Sequence, residues 1–543
     1  MKHLKKIASL LLAVVMVLTM CVTGYADNTT SHTITVKNAE DKHEYIAYQI
    51  FSGDKSGDKL INITWSEQVN GDKILIALKQ KNSAKYNKCD KAEDVAKVLS
   101  GEGSDSELVK EFAQVVSKNL NTSNVVSTKS TDKDSDGKYS YTMKVTGDGY
   151  YFVKDNKDPE GSNVNTGFIL KVVDENVEVT PKTSVPTLEK QIKHNEKQES
   201  EAWGVVGDNQ IGDIVEFRTI TSVPDTSSYD TYTYKIYDTM STELTSQVVN
   251  KDNITIKVND VTELNKNYYD VTVDNENKNK FTVTVDILRA IADSKLTKND
   301  SLYTYYSGIL NEKAKVYDEG KQDNVAYLEY SNNPGTDHKG KTPEKKVYDW
   351  TFKMEVKKID GSTKNTINGA KFVLSKTKNA NYGTVDENGV PANTNDLIQF
   401  IKKTENNITT YTVAPTNYSV KQGEELTYVI EAGDIIIKGL DDATEYYLYE
   451  TKAPDGYHAL TGPVKFKISA EYNTTGDGYT NVTVSINDGN DSNDLIAKVE
   501  NNSGSTLPET GGIGTTIFYV VGVVLMLGAG VLLITKRRMS AKH

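Results

Sequence analysis

Along most of the chain, apolar and polar residues alternate with a period of two, over short runs rich in Val, Ile, Thr and Tyr that Asn, Asp and Gly interrupt; NKFTVTVDIL and VKFKISAEY are examples. Such runs read as half-buried strands. Many short strands broken by turns in this way build β-sandwiches. Helical spacing stands out at KAEDVAKVLS and SELVKEFAQVVSKNL, both in the first third. The expected fold is mainly β, with three sandwiches in tandem and a helical insertion in the N-terminal one.

Pro-rich polar stretches set the boundaries: VTPKTSVPTLEK (179–190) after the first unit and NNPGTDHKGKTPEKK (332–346) after the second. The expected units are 27–183, 184–345 and 346–505, each large enough for its own core. Residues 1–26 carry Lys2, Lys5 and Lys6, a short apolar run and a small-x-small site at Gly24-Tyr25-Ala26. That is the pattern of a cleaved secretory signal peptide. Residues 512–535 form an uncharged stretch long enough to cross a bilayer, and the tail 536–543 opens with Lys536, Arg537 and Arg538 on the cytoplasmic side. The chain is expected to be exported and tethered at its C-terminus.

Charged residues fall on apolar faces at particular places. In TFKMEVKKID, alternation aligns Lys358 with Phe352, Met354 and Val356; in YYLYE it aligns Glu450 with Tyr446 and Leu448; in LIAKVENN it aligns Asn501 with Ala497 and Val499. The second unit repeats the order. Lys190 lies in line with Leu188 and Ile192, Asp238 with Tyr234 and Ile236, and Asn332 with Ala326, Leu328 and Tyr330. An unpaired buried charge is costly, so these groups need partners. Desolvation favours a neutral amine and a neutral acid. The amine can then attack the Asn carbonyl while the acid polarises it and moves protons, releasing ammonia and leaving a Lys–Asn isopeptide bond. A buried ion pair, or inward residues at frayed strand ends, accounts for either set without reaction.

Several stretches of the chain resemble known families. LPETG at 507–511, followed by the apolar stretch and basic tail, resembles the cell-wall sorting signal of Gram-positive surface proteins. VKKIDGSTKNTINGAKFVL followed by YYLYETKAPDGY resembles the collagen-adhesin B-type immunoglobulin-like domain (Cna B), which implies an isopeptide bond between Lys358 and Asn501 assisted by Glu450. PTLEKQI, IGDIVEF, YKIYDTMS and LEYSNNP resemble the middle domain of Gram-positive backbone pilins, which implies the same roles for Lys190, Asp238 and Asn332. The first unit resembles the N-terminal domain of such pilins through HEYIAYQIFSGD and LINITWSEQV, but Lys154 stands where an assisting Glu belongs and Lys37 lies on a polar face, so no bond is expected there.

TPK at 180–182 resembles the pilin motif whose lysine is the polymerisation nucleophile. The resemblance implies a major, shaft-forming pilin subunit. It further implies that a sortase cleaves after Thr510 within Leu507, Pro508, Glu509, Thr510 and Gly511, and joins the Thr510 carbonyl to Lys182 of the next copy. The expected partners are sortase, further copies, accessory pilins and peptidoglycan, and the expected place is a wall-anchored surface pilus supporting adhesion. The alternative is a monomeric wall-anchored adhesin that uses the domains as a stalk.

Composition bears on what remains. The net charge is −12, and the removable ends hold seven of the 63 basic residues and none of the 75 acidic ones, so the part between them stands at −19. That argues against a nucleic-acid partner. Cys21 leaves with the signal and Cys89 stands alone, so no intrachain disulfide forms. Scattered histidines give no metal-ligand spacing, and no hydrolase or phosphate-loop motif occurs. Neither a cofactor nor turnover on an external substrate is expected. DKDSDG, with Asp132 to Asp136, opens like a calcium loop, but Met143 occupies the position of the bidentate carboxylate, which favours a solvated acidic turn.

Overall fold

The computed structural model describes residues 31–38, 43–103, 106–121, 126–129, 132–133, 139–157, 167–173, 175–180, 185–195, 202–334, 336–406, 408–504 and 513–540. The expected signal peptide, Lys182, the LPETG motif and most of the 132–137 turn lie outside these residues. Met143 is buried in the first unit's core.

The first unit has three layers. One sheet pairs Ser31–Asn38 with Tyr139–Thr146 and Val177–Val179, and the second is built on Glu44–Ser56 and Gly149–Asp155. The strand Glu44–Ser56 is buried on both faces. Tyr45 and Ala47 meet Ile34, Tyr141 and Met143 of the first sheet, while Ile46, Tyr48 and Ile50 meet the helices through Ile74, Val95 and Phe112. This explains its nearly continuous apolar run, which strict alternation does not predict. Helices occupy Ala92–Leu99 and Glu107–Ser117, where helical spacing predicts them, and the hydroxyl of Ser106 accepts from the Val109 N–H as N-cap. A further helix, Gly71–Lys81, buries only Ile74 and Leu78, too few apolar positions to declare a period.

The middle unit is a sandwich of two sheets. Leu188–Lys193, Ile214–Ser222 and Ser301–Leu310 lie side by side in one, and Tyr234–Met240 and Gln322–Ser331 are neighbours in the other. The expected end of this unit at 345 is corrected. Lys345–Trp350 pairs antiparallel with Gln322–Ala326 and parallel with Val206–Asp208, so it is a strand of the middle unit, although its lysines and the preceding Pro343 read as a linker.

The third unit begins with Phe352–Asp360, which pairs with Asp434–Leu440 on one side and, in parallel, with Ile496–Asn501 on the other. Lys371–Ser375, Glu445–Lys452 and Val464–Tyr472 belong to the facing sheet. Middle and third units share a hydrogen-bonded seam. The Tyr446 hydroxyl donates to Gln210 Oε1 (3.1 Å), Asn195 Nδ2 to Asp441 Oδ2 (3.0 Å), the Tyr472 hydroxyl to Asp208 Oδ2 (3.1 Å) and Trp350 Nε1 to the Gly476 carbonyl (3.1 Å). The junction of first and middle units is carried by Lys110 Nζ donating to Asp225 Oδ2 (3.1 Å) and Gln114 Nε2 donating to Asp230 Oδ1 (2.5 Å).

The C-terminal helix Ile513–Ser540 contains a stretch, Ile517–Ser540 with mean hydropathy 2.7, that is long and apolar enough to cross a membrane. It covers most of the expected 512–535 span.

Candidate functional site

In the third unit, alternation along Phe352–Asp360 carries Lys358 into the core behind Phe352, Met354 and Val356, and its side chain is fully buried. The parallel register sets Lys358 opposite Val499 and Asp360 opposite Asn501. Asn501 is therefore the diagonal neighbour of Lys358 on the same face, within side-chain reach. Glu450 comes from the facing sheet. Tyr446 and Leu448, which share its face, are core residues, whereas Tyr447 and Tyr449 fill a small separate cluster with Val373 on the other side.

The three side chains meet. Lys358 Nζ donates to Asn501 Oδ1, Glu450 Oε1 lies 3.1 Å from Lys358 Nζ, and Asn501 Nδ2 donates to both Glu450 oxygens at 2.9 and 3.0 Å. Glu450 Oε2 also accepts from the Leu460 N–H at 2.8 Å, which fixes the carboxyl. The ring of Phe372 lies 5.5 Å from the amine. Burial lowers the Lys358 pKa, more than the Glu450 charge restores it. One carboxyl thus touches both the nitrogen that would attack and the nitrogen that would leave.

The middle unit reaches a similar constellation by a different route. Lys190, from Leu188–Lys193, and Asp238, from Tyr234–Met240, lie in facing sheets and meet across the core, both side chains fully buried, with Nζ to Oδ2 at 2.6 Å. Burial lowers the lysine pKa and raises that of the aspartic acid, the directions that favour a neutral amine beside a neutral acid. The hydroxyl of Tyr306, on Ser301–Leu310, accepts from Lys190 Nζ and donates to Asp238 Oδ2.

The expectation for Asn332 is corrected by register. Asp238 sits opposite Ala326, so Asn332 lies six residues further along the strand, about 20 Å away at about 3.4 Å per residue. There its Oδ1 is 2.8 Å from His338 Nδ1, and it packs over Gly340. The asparagine beside Asp238 is Asn324, opposite Met240 and hence diagonal to Asp238 on the same inner face. Asn324 is buried and close enough for its amide to act on both Asp238 and Tyr306, yet neither amide atom makes a well-formed hydrogen bond, nor does Asp238 Oδ1. Asn324 was legible as an inward position, since it shares parity with Asn332, but parity does not say which of the two stands beside Asp238.

In the first unit Lys37 points to solvent and pairs with Glu178 at 2.6 Å, while Lys154 lies opposite Ile46 on its strand. Among the described residues, Asp208, Asp441 and Asp442 form an acidic group that sequence spacing did not indicate, within the seam between middle and third units.

Residues 352–483 match the SpaA prealbumin-like fold domain family, and residues 499–540 match the LPXTG cell wall anchor motif. Among curated relatives, the chain is 26% identical over 264 residues to the trypsin-resistant surface T6 protein of Streptococcus pyogenes serotype M6, covering 43% of this chain and 48% of the relative. It is 30% identical over 222 residues to the type 1 fimbrial subunit of Actinomyces viscosus, covering 39% of this chain and 37% of the relative. The chain thus spans about half or less of the length of these relatives. Similar solved structures include the T6 backbone pilin of serotype M6 Streptococcus pyogenes (17% identity, TM-score 0.45, covering 89% of this chain and all of that one) and the major pilin SpaD of Corynebacterium diphtheriae (17%, 0.42, 88% and 99%).

Proposed function

We propose that the chain is the shaft-forming subunit of a sortase-assembled surface pilus, stiffened by two self-formed isopeptide bonds, Lys358–Asn501 and Lys190–Asn324. The observation that carries this reading is the pair of buried amine, carboxyl and amide groupings, each at a place where strands can be welded. In the third unit the bond would join the first and last strands of one sheet; in the middle unit it would tie one sheet to the other.

The chemistry balances within each triad. Lys358 Nζ bonds to Asn501 Cγ, the Cγ–Nδ2 bond breaks, and Nδ2 leaves as ammonia. Glu450 takes the proton that the amine gives up and delivers it to the departing nitrogen, both of which it already touches. In the middle unit the balance is the same: Lys190 gives up one proton, Asp238 supplies one to Asn324 Nδ2, and ammonia leaves. Each carboxyl acts once, during maturation, so the protein is a substrate and a structural polymer rather than a turnover enzyme.

Polymerisation would use Lys182, between the first and middle units, and the LPETG motif that follows the third. Sortase cleaves between Thr510 and Gly511 and transfers Thr510 to Lys182 of the next copy, making an open-ended head-to-tail fibre. The last copy is passed to peptidoglycan, after the C-terminal helix has held the precursor at the membrane. The monomeric-stalk alternative keeps LPETG and has no use for Lys182. The test is Lys182→Ala with LPETG intact, expressed in a Gram-positive host with its pilin sortase. The expected result is loss of the high-mass covalent ladder with wall-attached monomer retained. A wild-type chain that gives monomer alone, or a ladder that survives Lys182→Ala, overturns the shaft reading.

A further inference from the structure

The middle triad carries a hydroxyl between its amine and its carboxyl that, among the described residues, has no counterpart recorded at the third. Tyr306 is buried, and its hydroxyl stands between the attacking amine and the assisting carboxyl, accepting from Lys190 Nζ and donating to Asp238 Oδ2. Its ring is fixed by Phe217, stacked at a centroid distance of 5.9 Å, and by the edge of Phe281 at 5.0 Å. Burial first, and the Asp238 charge second, hold the phenol pKa well above its ordinary value, so it keeps its proton. The ring next to Lys358 in the third unit is Phe372, which has no hydroxyl to offer.

The difference follows from side-chain length and sheet placement. Glu450 is one methylene longer than Asp238 and spans both reacting nitrogens by itself. Asp238 reaches the amine through Oδ2 alone, while its Oδ1 and the Asn324 amide are without well-formed hydrogen bonds. A neutral amine has two N–H bonds and one lone pair. With one hydrogen on Asp238 Oδ2 and the other on the Tyr306 oxygen, the only direction left for Nζ is the one its lone pair takes.

We infer that Tyr306 is a catalytic residue of the middle cross-link: its hydroxyl fixes the orientation of the Lys190 amine toward Asn324 and relays a proton from that amine to Asp238. The inference rests on the Lys190–Asn324 bond proposed above. As the Nζ–Cγ bond forms, the amine proton passes to the phenol oxygen while the phenol proton passes to Asp238 Oδ2. Asp238 returns a proton to Asn324 Nδ2, which leaves as ammonia, so phenol and carboxyl end as they began and no outside reactant is needed.

The test follows both bonds in the same molecules. The chain from Asp27 to Thr506, with all three units intact, is made by cell-free synthesis, quenched in acid and denaturant at intervals, and digested. The cross-linked peptides of the middle and third units are then quantified by mass. Tyr306→Phe keeps the ring, so the unit folds, and the third-unit bond serves as an internal clock and a check on synthesis. The expected result is a middle bond that forms at least about ten-fold more slowly than in wild type, with an altered solvent deuterium isotope effect and an unchanged third-unit rate; Asp238→Ala abolishes the middle bond. Equal middle-bond rates in Tyr306→Phe and wild type overturn the role of the hydroxyl while leaving the cross-link standing. A wild-type chain in which the Lys190–Asn324 peptide never appears overturns the cross-link itself, and the inference with it.

Discussion

Replacing Glu450 with alanine is expected to abolish the third-unit cross-link and lower that unit's melting temperature by roughly 15 °C or more. Two effects add. The Lys358–Asn501 bond closes a loop spanning 143 residues, and borrowing the loop-closure expression for disulfides gives about 5 kcal/mol lost with it. The substitution also leaves the fully buried Lys358 amine without its carboxyl, and breaking a buried pair in this way costs about 3–5 kcal/mol on its own. Glu450→Gln separates the two. It preserves shape and can still hydrogen-bond the amine, but it cannot take a proton, so it too should fail to form the bond while melting above Glu450→Ala. Calorimetry of the two variants beside wild type checks this, and equal melting temperatures in all three would remove Glu450 from the chemistry.

The second large effect belongs to Asn324. Asn324→Ala should eliminate the middle bond, whose loop of similar length makes a similar contribution, about 5 kcal/mol. Its product should be heavier than wild type, after allowing for the substitution, by one ammonia, about 17 Da by the amide-forming step. Asn332→Ala should leave the cross-link intact, because Asn332 is engaged with His338 at the far end of the strand. Peptide mapping of the two variants decides between the asparagines: a Lys190 cross-link that survives Asn324→Ala and disappears in Asn332→Ala would reverse the assignment.

The contrast between these two asparagines shows how far sequence reasoning reaches. Alternation correctly turned Lys358, Glu450, Asn501, Lys190 and Asp238 inward, because facing is a property of one strand read alone. Position along a strand is not. Asn324 and Asn332 share parity on Gln322–Ser331, and only the pairing of Asp238 with Ala326 shows which one is beside it. Parity and the repeated order of lysine, carboxyl and asparagine pointed to Asn332 on the premise that both units place these groups alike. They do not: lysine and asparagine are sheet neighbours in the third unit and face each other across the core in the middle one. The role of Tyr306 was equally invisible, since nothing in SLYTYYSGIL marks one tyrosine as facing a lysine that lies 116 residues away. The helix Gly71–Lys81 and the strand Lys345–Trp350 escaped for a related reason. Each is held by long-range partners while its own sequence carries little periodicity, so tertiary context decides its state.

The architecture would give the proposed cross-links a mechanical meaning. Were copies joined through Lys182 and Thr510 as proposed, a pull would enter the middle unit near its first strand and leave the third unit just after its last. A bond from Lys190 to the facing sheet, and one from the first to the last strand of the third unit, lie across that route. With the hydrogen-bonded seam from Asn195 to Trp350 between the two units, force would pass through covalent links rather than through strand pairing alone.

The central claim, that two buried triads have reacted, is tested most directly by the intact mass of the chain from Asp27 to Thr506 produced without sortase. The account predicts a deficit of two ammonia molecules, about 34 Da for two self-formed amide bonds, falling to one in Glu450→Ala and to one in Asn324→Ala. A mass equal to that of the unmodified sequence would contradict it, and would make Lys358 and Lys190 buried ion-pair partners and nothing more.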